Sequence, residues 1–159
     1  MKLTTSQILT FLALISGASL SKMKKDERNI LIHRIRHMRR VNRDWEELVS
    51  DARKKLAPSD WDEVEALRAK GDGLSESERK RVDETTAEYD KALNECVNPE
   101  LGQEHDIDLS GLTEGSVERL VDSNPQWKVG DIIVAYETIL GDGEPTDKGN
   151  KKKSPKKQQ

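Results

Sequence analysis

Apolar residues recur at heptad spacing through one long stretch of the chain. Leu31, Ile35, Met38, Asn42, Trp45, Val49, Ala52 and Leu56 follow one another at steps of 4, 3, 4, 3, 4, 3 and 4. That spacing holds one stripe toward a partner helix and predicts a helix over 26–56. Pro58 ends it by biasing Ala57 away from helical geometry. Asn42 is the polar member of the seam, and two readings of it are open. A buried Asn fixes register or oligomeric state at a cost in stability; alternatively the seam loosens there and Asn42 reaches water. Ile30, Ile32, Val41 and Leu48 flank the seam. The first turns are therefore apolar over a wider arc than two helices need, so something besides one partner helix is expected to cover them.

A second helix is expected over 75–97. Ser75 with Glu78 makes a capping box, and Val82, Thr86, Tyr89, Leu93 and Cys96 stand at steps of 4, 3, 4 and 3. This places the Cys96 thiol toward the core, and Pro99 is expected to close the helix. Between the two lie a short helix over 60–70, with Trp61, Val64 and Leu67 on one face, and a Gly71-Asp72-Gly73 turn. Two heptad-spaced helices so joined most simply form an antiparallel hairpin over 26–97. Such docking sets Arg28, Arg34 and Arg36 within reach of Asp90, Glu95 or Glu100.

The apolar run 8–15 admits two readings. After Lys2, and ahead of Ser16-Gly17-Ala18-Ser19, it resembles a short secretory signal cleaved near Ala18. The favoured reading is a retained core helix over 5–16. Thr4 and Gln7 form a capping box, Leu3 staples onto Ile8, and a left-handed Gly17 provides the stop. Beyond Pro99, residues 104–109 alternate polar and apolar as a short strand. Residues 113–121 read as a short helix and Asn124-Pro125 as a turn. Segment 131–140 suits a strand by composition. Ile132, Ile133, Tyr136, Ile139 and Leu140 nevertheless share one helical face, and a helix is expected. Residues 141–159 are expected to form a disordered basic tail. The fold class is thus mainly α, an antiparallel helical hairpin with a short N-terminal helix and a small α+β C-terminal segment over 104–140. Residues 1–140 are taken as a single helical domain.

Hydrophobic residues make up 33% of the chain, charged residues 36% and aromatics 4%, which fits a helical protein with a large solvated surface. The net charge of −3 hides a strong asymmetry. From Lys22 to Arg43 there are nine Lys or Arg against two acids; from Asp83 to Glu114 there are ten acids against Lys91 alone. One cysteine excludes an internal disulfide and fits a reducing, cytoplasmic setting.

No motif points to catalysis. His33 and His37 share a helix face as metal ligands would, but no Cys or third His completes the set. Glu104, Asp106 and Asp108 would project to one side of a strand, as on any charged edge. Gly71-Asp72-Gly73 and Gly141-Asp142-Gly143 have neither the strand-to-helix context nor the Lys-Ser/Thr of a phosphate loop. No catalytic residue, metal site or cofactor is assigned, and no enzymatic activity is expected. The strongest candidate is electrostatic. Arg36, Arg39, Arg40 and Arg43, with Trp45 where the seam is open, form the candidate binding surface for a protein partner or a second copy. Together with Lys148, Lys151, Lys152, Lys153, Lys156 and Lys157 of the tail, the same arginines would serve nucleic-acid binding, the alternative. The acidic net charge and few aromatics weigh against that alternative.

Taken in order, the chain resembles an uncharacterised family of small proteins of tailed bacteriophages and prophages. The likeness spans about residues 1–140. It rests on Met1-Lys2-Leu3-Thr4 with Ser6-Gln7 opening an apolar helix, a long helix, and Ala92-Leu93-Asn94-Glu95-Cys96-Val97 ending the next. Asp106-Ile107-Asp108-Leu109 and the apolar segment 129–140 complete it. The arginine-rich run 34–43, the insert carrying Trp61 and the lysine tail depart from the family pattern. The resemblance implies a cytoplasmic phage protein with no catalytic residues to carry over. The expected function is a helical protein-interaction module, an assembly or host-takeover accessory without membrane contact. The alternatives are a nucleic-acid-binding accessory protein and a secreted helical protein.

Overall fold

A computed structural model describes residues 1–141; apart from Gly141, the expected basic tail lies outside the described residues. The elements run β1 (Lys2–Thr4), α1 (Thr5–Ile15), α2 (Lys25–Leu56), α3 (Trp61–Ala69), a 3-10 turn (Gly71–Gly73), α4 (Glu76–Leu101), β2 (Glu104–Asp106), α5 (Glu114–Asp122) and α6 (Val129–Leu140). The protein is mainly helical, with one small antiparallel sheet.

Local sequence devices start two of these helices. The Gln7 N–H donates to Thr4 Oγ1 at 3.2 Å and the Thr4 N–H to Gln7 Oε1 at 2.8 Å. Ser75 and Glu78 do the same for α4, at 3.3 and 2.8 Å. Each box satisfies donors that a helix start otherwise leaves open. Segment 131–140 is helical, as expected. The N-terminal residues, however, do more than precede a helix. Lys2, Leu3 and Thr4 pair antiparallel with Asp106, His105 and Glu104, so the strand expected over 104–109 forms its ladder over 104–106. The alternation runs on past the ladder, with Ile107 and Leu109 buried and Asp106 and Asp108 exposed.

The main core gathers Ile8, Phe11 and Ile15 of α1 with Leu31, Met38 and Val41 of α2. Ile107, Leu109 and Leu112 follow from the chain after β2, and Val117, Leu120, Ala135 and Ile139 from α5 and α6. The second half of α2 packs on α4 instead. There Ala52, Val64 and Val82 are buried, and the Trp61 and Tyr89 rings sit 4.5 Å apart at 46°.

Several expectations are corrected. Cys96 is exposed and Val97 is buried in its place. Helix α4 packs on α3 and α2, but its C-terminal end also meets α1, where the Thr5 N–H donates to the Gln103 carbonyl at 2.9 Å, so a different neighbour sets the buried face there. Helix α4 runs through Pro99 to Leu101, because a proline in a last turn forfeits one backbone bond without unwinding it. Gly17 is not left-handed; positive φ occurs at Gly71, Gly111 and Gly141. Ile133 is 48% exposed, while Ala135 and Thr138 are buried on the inward face of α6. In α2 the seam widens to include Val41, and Asn42 is half-buried with its Nδ2 donating to Glu46 Oε1 at 2.9 Å. It bonds within its own helix.

The expected pairing of Arg28, Arg34 and Arg36 with acids of α4 is also replaced. Tyr89 Oη donates to the Arg53 carbonyl at 3.1 Å, and Glu100 lies beside Asp44, Trp45 and Leu48. Helix α4 thus runs out alongside the middle of α2, and its acids fall short of the arginine run. Arg34 pairs instead with Asp108, Nη2 to Oδ2 at 2.8 Å.

Candidate interaction surface

Helix α2 turns Leu31 and Met38 fully inward. Ile32, Arg36, Arg39 and Arg43 follow at steps of 4, 3 and 4, so they form one stripe on an adjoining face. Arg36, Arg39, Arg40 and Arg43 are all exposed. Among the described residues, none of the four lies in an ion pair. Where α1 crosses this face, the two helices leave a groove of about 590 Å³. Leu9, Leu12 and Ile15 line it from α1 and Ile32 and Ile35 from α2, with the exposed Arg36 and Arg39 as a cationic rim and Ser16 and Asn42 as its other polar members. Arg40 and Arg43 stand outside the groove.

Trp45 lies off this groove. It is half-buried between a hollow of about 70 Å³, with Thr5, Val41, Leu48 and His105, and an open one of about 460 Å³ along α2, with Val49 and Arg53. The structure thus brings Arg36 and Arg39 together with apolar residues that were not on the candidate surface. Ile32 carried a signal for this, as an apolar residue off the seam; Leu9 and Leu12 carried none beyond lying in an apolar helix.

The other clusters are spent on structure. Glu104 pairs with Lys2 Nζ at 3.1 Å. Hydrogen bonds from the Ser110 hydroxyl and N–H hold the Asp108 carboxyl below its ordinary value, and Arg34 adds to this. His33 and His37 are exposed, and no group of three or more His, Cys, Asp or Glu among the described residues could hold a metal ion. His105 Nε2 lies 2.8 Å from Thr5 Oγ1, beside the sheet.

One buried cluster was not foreseen. Glu27, on the first turn of α2, accepts from Arg119 Nε at 3.0 Å and from Arg119 Nη2, from Ser116 Oγ at 3.0 Å, and from the Lys24 N–H at 2.9 Å. Both carboxylate oxygens are occupied, which leaves nothing for a ligand. The Arg119 hydrogen bonds, against the opposing push of burial, take the Glu27 carboxyl down to about 2. Beside it, Asn124 is fully buried. It accepts from the Ser19 N–H at 2.7 Å and donates to the Ser19 and Leu120 carbonyls, each at 2.8 Å. The residue just past α5 thereby ties down the connection between α1 and α2 at Ser19.

No helix among the described residues is long and apolar enough to cross a membrane. Comparison of the chain with protein-family models, with curated proteins and with solved structures finds no match.

Proposed function

We propose that the protein is a non-enzymatic helical interaction module of phage type, an assembly or host-takeover accessory that works by binding another protein. In this reading α2 and α4 form the antiparallel hairpin that presents the basic half of α2, and the site is the arginine surface around Arg36, Arg39, Arg40 and Arg43. The observation that carries it is the run of exposed arginines without an ion-pair partner among the described residues, set against an open apolar groove. A folded chain has no internal use for such a row, since like charges four apart on a helix repel. The phage resemblance and a single cysteine, which has no second to pair with, support a cytoplasmic setting.

A second reading, nucleic-acid binding by the same arginines and the lysine tail, draws on the same exposed cations. It predicts affinity that falls steeply with salt. Secretion with cleavage near Ala18 would strip Leu3, Ile8, Phe11 and Ile15 from the core. A tagged pull-down from the native host, with and without nuclease and read by mass spectrometry, separates the first two. A stoichiometric protein that survives nuclease supports the interaction module; recovery that vanishes with nuclease favours the nucleic-acid reading.

A further inference from the structure

The groove between α1 and α2 has an asymmetry that constrains its occupant. Its lining is largely apolar, through Leu9, Leu12, Ile32 and Ile35, with Ser16 and Asn42 polar, and the exposed Arg36 and Arg39 give its α2 side a cationic rim. Ile32 is 42% exposed, one of the few large apolar side chains so open among the described residues. From Ile32 to Asn42 the groove follows α2 for about 15 Å of helical rise, close to three turns.

Resting on the interaction-module reading, we infer that this groove receives an amphipathic helix of another protein. Its apolar stripe meets Leu9, Leu12, Ile32 and Ile35, and its acidic flank meets Arg36 and Arg39. Three turns of helix place two or three apolar side chains at i, i+4 and i+7 along the apolar lining. The exposed Ile32, Arg36 and Arg39 open the groove to solvent on its α2 side, so the occupant keeps one face in water. An amphipathic helix satisfies that requirement; an acyl chain, apolar all round, would leave half its surface wet.

The chain itself does not supply this occupant. The lysine tail has the same charge sign as the rim. The outer face of α4 carries acids, but none of the exposed large apolar residues lies on α4. Val129 and Ile133 of α6 are exposed, but on a helical wheel Asp131 lies on the opposite side from them and only Glu137 flanks them. A second copy thus offers two apolar residues and one acid, short of what three turns of groove take.

The test uses the full chain and a displayed library of 18-residue helical peptides randomised at apolar and charged positions. Peptides are selected on the wild type, and the winners are measured by fluorescence anisotropy against wild type, R36E/R39E and Ile32→Asp. The substituted residues are all exposed, and unchanged circular dichroism and melting verify each variant's fold. Enriched sequences should share an apolar stripe at i, i+4 and i+7 flanked by Asp or Glu. R36E/R39E should weaken them at least about tenfold and favour Lys-flanked versions instead. Ile32→Asp should weaken both.

The inference is overturned by winners without the stripe, by no enrichment, or by winners indifferent to R36E/R39E. It is also overturned if a 20-base-pair DNA duplex binds the wild type and displaces the winners, or if the wild type self-associates through this face. The same variants in the pull-down keep the two failures apart. A nuclease-resistant partner retained by R36E/R39E and Ile32→Asp leaves the interaction module standing with a different surface; recovery lost to nuclease removes both.

Discussion

At the scale of single residues, the two strongest constraints are an ion pair and a glycine. Glu27 is 92 positions from Arg119 in sequence, yet its carboxylate is surrounded by Arg119, Ser116 and the Lys24 N–H. Its folded-state pKa of about 2 lies below the ordinary 4.5. Its contribution to stability is therefore fully present above pH 4.5 and drains away as pH falls from there toward 2. Glu27→Gln leaves Arg119 without its counter-charge in a partly buried place. A loss of about 2 kcal/mol is expected, read by urea unfolding followed by tryptophan fluorescence at pH 7. The variant and wild-type stabilities should converge as the pH is lowered through that window; a constant gap would refute the assignment. Gly111 has φ +91, and an added Cβ would lie 2.9 Å from Ile30 Cδ1. Gly111→Ala should cost about 1–2 kcal/mol from backbone strain. Ile30→Val should recover only the part due to the contact, since the end of a flexible side chain can move and φ cannot.

At the scale of elements, what was legible in the sequence was what is decided locally. The capping boxes at Thr4 and Ser75 and the breaker at Pro58 mark helix ends within a few residues, because the chemistry that ends a helix lies within one turn of it. The stripe of Leu31 and Met38 marks the inward face of α2 for the same reason. What could not be read was whatever depends on distant chain. Three residues, Lys2 to Thr4, have no strand pattern of their own; they become β1 only because residues 104–106 arrive beside them. Cys96 and Val97 are neighbours, and which of them is buried follows from α1 arriving beside the end of α4 rather than from either residue. Arg36 and Arg39 were legible as cations, but the groove that makes them a rim needed α1, which is docked by Ile8, Phe11 and Ile15 in the core. Helix α1 is the element on which most depends, since Phe11 and Ile8 are wholly buried. Phe11→Ala should cost about 3–5 kcal/mol. That would lower the urea midpoint with little change in slope if the rest of the fold persists.

At the scale of the whole molecule, charge is distributed against the interest of stability. Acids of α4 stop beside the middle of α2, and Asp108 takes Arg34, so the stretch from Arg36 to Arg43 faces water uncompensated by ion pairs among the described residues. Arg39 is the clearest case. Its helix neighbours three and four positions away are Ile35, Arg36, Asn42 and Arg43; the charged ones are both positive. Arg39→Glu turns two like-charge contacts into two attractive ones, and the introduced carboxylate precedes Arg43 in the more favourable order. The expected gain is about 0.5–1 kcal/mol, seen as a rise in melting temperature that shrinks in high salt. In the pull-down the same variant should lose the partner. Higher stability with lost binding is the signature of a residue kept for recognition rather than for folding. A fall in stability on Arg39→Glu would mean that Arg39 has a structural partner, and the arginine face would then lose its claim as a surface reserved for another molecule.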